Sequence, residues 1–429
     1  MMCLTGRRSD LSGRQLPITL IIMAVLLYCT PVFALKLSYG VSQAYETTSN
    51  PLHLPVPEDD DTFEDVLAVS SVFLKVKEKT SILKSDVDLK ISYLDYADDI
   101  SSDLTRRNLK SSFLWFITPG YYSWYLVDNI TQSVKDISLT SSEENTQDVN
   151  AFTTGPMLEW KLGNSKLKLN SYISTYTYEE TNNDSKNVNS SLTWANELPS
   201  GLNLDMSYST KFVSYDEDQI YSNYDQSTVG VSFKYKKKTN SLDVFFGRTF
   251  LNSDDLSESV FSQRRIKFKR TLSRFSSLSL EHSGGLSSKE ESLIDGDTVL
   301  SGLHESLQTS LTYKRVGNVY GGGVKITEIE KKNVDSDALD NKQVGSVDIY
   351  RLMSSKSKIS FIYGQSMNEV KVGATQYETD ETTKKITYIK LFNNKLSFSI
   401  HVSEVNVESE NVFRQYTDKR AGITLSIQR

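Results

Sequence analysis

Between residues 202 and 212 the chain reads LNLDMSYSTKF. Leu202, Leu204, Met206, Tyr208 and Phe212 share one face of an extended strand, and Asn203, Asp205, Ser207, Ser209 and Lys211 share the other. One face seeks an apolar medium and the other seeks water. The pattern recurs: Val87, Leu89, Ile91 and Tyr93 alternate with Asp88, Lys90 and Ser92, and Leu396, Phe398 and Ile400 alternate with Ser397 and Ser399. Ile359, Phe361 and Tyr363 do the same, and such two-faced segments number roughly twenty along the chain.

The connectors fall into two classes that take turns. Short, basic or turn-forming stretches stand at 77–79, 119–120, 163–166, 199–201, 236–240, 273–274, 317–318, 354–358 and 393–395. Longer acidic stretches stand at 58–65, 95–103, 136–148, 179–184, 216–218, 254–258, 290–297, 335–340, 378–381 and 404–410. A Greek-key sandwich gives no reason for such regular alternation. A transmembrane barrel does, since its turns are short at one end and its loops long at the other. The reading is therefore all-β: an up-and-down antiparallel transmembrane β-barrel of about 18–20 strands, with short periplasmic turns and long acidic extracellular loops. Closure also spares two-faced strands an open edge in lipid. Both termini are then periplasmic, and the apolar face of 202–212 points at lipid while the polar face lines a hydrated lumen.

The N-terminus fits that location. Arg7, Arg8 and Arg14 precede the apolar run LPITLIIMAVLLYC, which closes in Thr30-Pro31-Val32-Phe33-Ala34. Val32 and Ala34 suit a secretory cleavage site, so residues 1–34 are expected to be a cleaved signal peptide and 35–429 a single outer-membrane barrel domain. The run is shorter than the ~20 residues of a transmembrane helix, and no later run approaches that length. Tyr28 before Cys29 argues against lipoprotein processing. Both cysteines, Cys3 and Cys29, lie in the leader, so no disulfide framework is expected. The formal net charge of −6 gives no support to a nucleic-acid partner.

Three places resist a regular pattern. Val402 is followed by Val405 and Val407, which predicts a bulge in the strand at 396–407. Gly155-Pro156 interrupts another strand, and proline removes a ladder donor. The last strand ends in Gln428-Arg429 instead of an aromatic residue, so the barrel-insertion machinery is expected to read it less efficiently.

The stretch SYGVSQAYETTSNPL, followed by an acidic loop and FEDVLAVSSVFLKV, resembles the first strands of a family of bacterial outer-membrane β-barrels found with exopolysaccharide and exosortase (PEP-CTERM) systems. The segment YSWYLVDNITQSVKD and then QDVNAFTTGPMLEWKLG, with its Gly155-Pro156, is similar to that family's central pattern. The resemblance covers the first half of the chain and implies a location and a pathway more than a reaction.

Candidate chemistry is sparse. The four histidines His53, His282, His304 and His401 could form a rim site, but no catalytic motif surrounds them, and solvated loop histidines are the better reading. The run Glu58-Asp59-Asp60-Asp61 could bind calcium or bridge lipopolysaccharide phosphates through divalent ions; it lacks the spacing of a dedicated loop, and a solvated acidic loop is preferred. Gly321-Gly322-Gly323 lacks the Lys-Ser/Thr of a phosphate cradle, so the glycines are read as relief of crowding in a strand. Arg264 to Arg270 carry the most interesting pattern. With Ile266 and Phe268 facing lipid, Arg265, Lys267 and Lys269 become candidate lumen-lining cations that favour an anionic permeant. The competing reading, which the sequence favours, puts them near the periplasmic rim. Asp86, Asp88 and Asp205 belong to other luminal faces.

The sequence therefore predicts a non-enzymatic channel or export conduit linked to extracellular polysaccharide secretion, with no catalytic, cofactor or metal residues. Its partners are outer-membrane lipid and lipopolysaccharide, the insertion machinery and, through the resemblance, polysaccharide. The alternative is a structural or surface-binding barrel with a plugged lumen; an outer-membrane hydrolase ranks third.

Overall fold

The computed structural model describes residues 35–429 except 52, 54–63, 98–102, 136–144, 182–183, 199–200, 216–222, 254–257, 289–302, 335–337, 373–374 and 411–414. The expected leader at 1–34 and the acidic runs at 58–61, 216–218, 254–257 and 290–297 lie outside the described residues. Twenty strands follow one another. They are β1 (Lys36–Thr48), β2 (Asp65–Lys79), β3 (Leu83–Tyr96), β4 (Leu104–Thr118), β5 (Tyr122–Val134), β6 (Thr146–Leu162), β7 (Ser165–Tyr178), β8 (Ser185–Glu197), β9 (Leu202–Tyr215) and β10 (Tyr224–Lys237). The second half adds β11 (Asn240–Ser253), β12 (Ser259–Ser273), β13 (Ser276–Ser288), β14 (Leu303–Arg315), β15 (Tyr320–Asn333), β16 (Leu339–Ser354), β17 (Ser357–Val372), β18 (Thr375–Leu391), β19 (Leu396–Ser409) and β20 (Tyr416–Gln428).

Each strand pairs antiparallel with its sequence neighbours, and β1 closes the ring on β20 from Gly40 opposite Gln428 to Thr48 opposite Arg420. This is the up-and-down barrel that the alternation requires. Because the strand number is even, both termini and the short turns share one end, the turn end; the acidic connectors occupy the other, the loop end. Gly120 and Gly163 take positive φ in those turns, where a side chain would be strained.

The outer face is apolar. Met206, Tyr208 and Phe212 on β9 are about half exposed, as are Val41 and Tyr45 on β1 and Ile423, Leu425 and Ile427 on β20. In water such a surface would aggregate; in a bilayer it is the solvated face. One polar pair on this face is satisfied sideways: Gln43 and Ser70, directly opposite one another, share a hydrogen bond of 2.6 Å.

Three expectations need adjustment. β19 pairs with β18 and β20 without a register shift, so the bulge predicted at 396–407 is absent. Val405 and Val407 simply occupy the inward face, opposite in parity to the exposed Ile400 and Val402, where the loop-end inner wall also buries apolar side chains. The acidic stretches 378–381 and 404–409 belong to β18 and β19 instead of loops. Strands here run to 17 residues, beyond the ~9–11 that cross hydrocarbon, so their loop-end residues stand outside it, where charge and ladder are compatible. At Gly155-Pro156 the ladder from β6 to β7 skips two residues while that to β5 continues. A Cβ at Gly155 would lie 2.0 Å from the Ser171 carbonyl oxygen, so the glycine is fixed by backbone approach. Gly322 is similar, 2.2 Å from the carbonyl oxygen of Asp348, which agrees with the crowding role expected of that triplet.

Candidate functional site

The alternation builds an inner wall of two unlike halves. Toward the turn end it is charged and wet. Lys75 and Lys77 on β2 reach Asp88 and Asp86 on β3, each at 2.8 Å, and Lys234 on β10 reaches Asp205 on β9 at 2.5 Å. The three luminal aspartates expected from sequence are thus each neutralised by a lysine on the adjacent strand. Many other lysines share this wall. Lys90, Lys110, Lys269, Lys314, Lys325 and Lys385 each lie on the face opposite exposed apolar neighbours, and none has an ion-pair partner among the described residues.

Arg265, Lys267 and Lys269 of β12 share the face of Gln263 and Phe261, opposite that of Ile266 and Phe268. Arg265 Nη2 stands 3.5 Å from Asp243 Oδ2, and Lys267 Nζ stands 2.5 Å from Glu281 Oε1. Two of the three candidate cations are therefore partly offset. The ring of Phe245 extends across the inner wall, filling the space beside Gly230 and Gly247, where a Cβ would come within 3 Å of it.

Toward the loop end the inner wall carries apolar clusters. Leu67, Leu94 and Tyr96 form one cluster, Val149, Tyr176 and Tyr178 another, and Val213, Tyr224, Leu251, Leu286 and Leu303 a third. The third cluster changes the shape of the barrel. By register, Leu286 and Leu303 continue the outward rows of Leu280 and Leu311, which are exposed to about 40%. Yet they are only 5% and 6% exposed and pack with Val213, Tyr224 and Leu251, which stand on the inward rows of β9–β11. The ladder between β12 and β13 also stops at Arg264 opposite Gly284. Above that fork the β13–β14 hairpin has slipped inside its neighbours, and its outer face packs on their inner face. Gly284 and Gly285 sit at the fork, where a Cβ at Gly285 would lie 2.7 Å from the Gln263 side chain.

A polar group fastens the closing seam. Arg420 on β20 donates to Asp418 Oδ2 at 2.5 Å and to Glu46 Oε1 on β1 at 3.1 Å. Thr48 donates to Asp418 Oδ1, His401 Nε2 meets Glu46 Oε2 at 2.8 Å, and His53 stacks on Tyr416 with centroids 4.3 Å apart while its Nε2 lies 3.5 Å from Asp418. All four carboxylate oxygens are engaged. Two of the four histidines are thus brought together, by strand closure and not by a reactive hydroxyl: the Thr48 hydroxyl donates to the acid. His282 bonds Thr309 on the outward side of β13 and β14, and His304 is buried on β14. Sequence could not pair Glu46 with Arg420, because residues so distant meet only when the ring closes.

No family model and no curated protein matches the chain. Among solved structures it is similar to a mutant of the ferric enterobactin receptor PfeA from Pseudomonas aeruginosa, with a TM-score of 0.51 and 8% identity over 91% of this chain and 80% of that chain. It is also similar to the FrpB iron transporter from Neisseria meningitidis, with a TM-score of 0.47 and 9% identity over 91% of this chain and 81% of that one. A loop-deletion mutant of OmpT, an outer membrane protein of Vibrio cholerae, aligns with a TM-score of 0.37 and 11% identity over 92% of this chain and 100% of that one. At 8% identity the likeness to the PfeA mutant is one of fold: a large antiparallel transmembrane barrel.

Proposed function

We propose that the chain is a non-enzymatic barrel of the bacterial outer membrane, with its turns and termini in the periplasm, that serves as a channel or export conduit for an anionic polymer or solute. The observation that carries this reading is the excess of lysine on the wet half of the inner wall, in a chain whose formal net charge is −6. Fixed cations along a polar lumen lower the barrier for anions and raise it for cations. A ring of 20 strands is wide enough to hold water. The link to extracellular polysaccharide secretion comes from the resemblance of the first strands, and acidic polysaccharide is the permeant that the lining favours.

Single-channel conductance of refolded protein in a planar bilayer tests this, with ion selectivity read from a salt gradient. Anion preference that reverses in a Lys90→Glu/Lys110→Glu/Lys269→Glu variant supports the reading. Cation preference in the unaltered protein overturns it. The apolar clusters at the loop end favour a second reading, a structural or surface-binding barrel whose lumen is closed. Folded, inserted protein with no conductance decides for that one.

A further inference from the structure

The outer wall carries a cationic patch beside the fork. Arg248 on β11 and Arg264 on β12 both face outward, since they share the rows of Phe246, Phe250 and Val260, which are 39–55% exposed. Ser262 stands directly opposite Arg248, and Phe246 directly opposite Arg264, so the two guanidinium groups flank a hydroxyl within an aromatic surround. Neither arginine has an ion pair or side-chain hydrogen bond among the described residues.

Their height is informative. Arg248 lies eight positions beyond Asn240 and Arg264 nine before Ser273. At ~3.3 Å per residue and a tilt near 40°, both stand roughly 20 Å above the turns, at the upper margin of the apolar band. Two other outward charges near that height find protein partners: Lys384 pairs with Glu404 at 3.1 Å, and Glu328 accepts from Gln343. Arg248 and Arg264 do not. The fork adds a second feature. Above the Arg264–Gly284 pair, residues 260–263 of β12 have no ladder partner in β13, so a strand edge is open next to the two arginines. Main-chain donors and guanidinium groups at the edge of hydrocarbon need an acceptor, and headgroup oxygens are the acceptors present there.

We infer that Arg248, Ser262 and Arg264, with the open edge of β12, form a binding site for the phosphorylated headgroup of an outer-leaflet lipid, whose acyl chains lie along Phe246, Ile266 and Phe268. Two guanidinium groups matched to one phosphate give directed, charge-assisted bonds, and the aromatic surround accepts the chains. The inference rests on the outer-membrane reading, because that bilayer places phosphorylated glycolipid at this height.

The test uses full-length refolded barrel and bis-phosphorylated lipid A as probe, with retention measured by native mass spectrometry. Unaltered protein should retain the lipid, Arg248→Ala/Arg264→Ala should weaken retention about tenfold or more, and the turn-end variant Arg270→Ala should match the unaltered protein. A phosphate-free lipid A should bind as weakly as the double variant. Equal retention by the double variant, or equal binding of the phosphate-free lipid, overturns the site. Displacement by millimolar inorganic phosphate alone would mark a free-anion site and also overturn it. Density-gradient fractionation of cells reports the membrane separately: outer-membrane protein that fails to retain lipid A sinks this inference and leaves the proposed location standing.

Discussion

Releasing the overlapped hairpin should open the loop-end mouth. Leu286 and Leu303 are 5% and 6% exposed, and it is their contact with the inner wall of β9–β11 that holds the hairpin inside. Burying a leucine side chain contributes about 1.5–3 kcal/mol, so the pair supplies roughly 3–6 kcal/mol. With tenfold per ~1.4 kcal/mol, the hairpin is released in about one molecule in 140 at the weak limit and about one in 20,000 at the strong limit. Leu286→Ala should raise the released fraction by about tenfold to a hundredfold. Leu286→Asp with Leu303→Asp removes the apolar term and adds the desolvation of two carboxylates, which makes the released state the stable one. In single-channel recordings the alanine variant should show rare events of larger conductance, and the double aspartate variant should dwell in the larger state. The reasoning fails if the double variant, shown folded by its heat-modifiable migration in gels, keeps the step size and open fraction of the unaltered protein.

Three further outcomes are expected. Arg420→Ala leaves Asp418, with a side chain 1% exposed, and Glu46 without their guanidinium, and should cost about 3–5 kcal/mol, seen as a lower urea midpoint for the barrel. Lys75→Ala removes an ion pair whose partners are both 45% exposed and should shift the same midpoint by less than about 1 kcal/mol; a larger loss than for Arg420→Ala would contradict the burial argument. Gly155→Val forces a side chain into the Ser171 carbonyl and should abolish refolding or sharply reduce it in a liposome assay, whereas Gly345→Val, where a Cβ meets nothing within 4 Å, should refold normally.

The alternation of side chains by itself determined that this is a barrel. A period of two with one apolar face admits few solutions for a chain this long, and the alternation of short turns with acidic connectors selected the transmembrane one. It also placed Arg265, Lys267 and Lys269 together on one face of their strand and Asp86, Asp88 and Asp205 on the luminal faces of two other strands, because parity within a strand is a local property. The acidic runs at 378–381 and 404–410 misled, since charge marks solvent exposure, and strands that outreach the bilayer are exposed there too. Register and closure were decided only in three dimensions. The lysine partners of the aspartates, the meeting of Glu46 with Arg420 and the site flanked by Arg248 and Arg264 all depend on which residue stands opposite which, and no strand carries that information alone. The overlap of β13–β14 is further still from the sequence. Leu286 and Leu303 keep the parity of lipid-facing residues, and only the tertiary packing, by breaking the ladder at Arg264 and Gly284, turns that same face toward the interior.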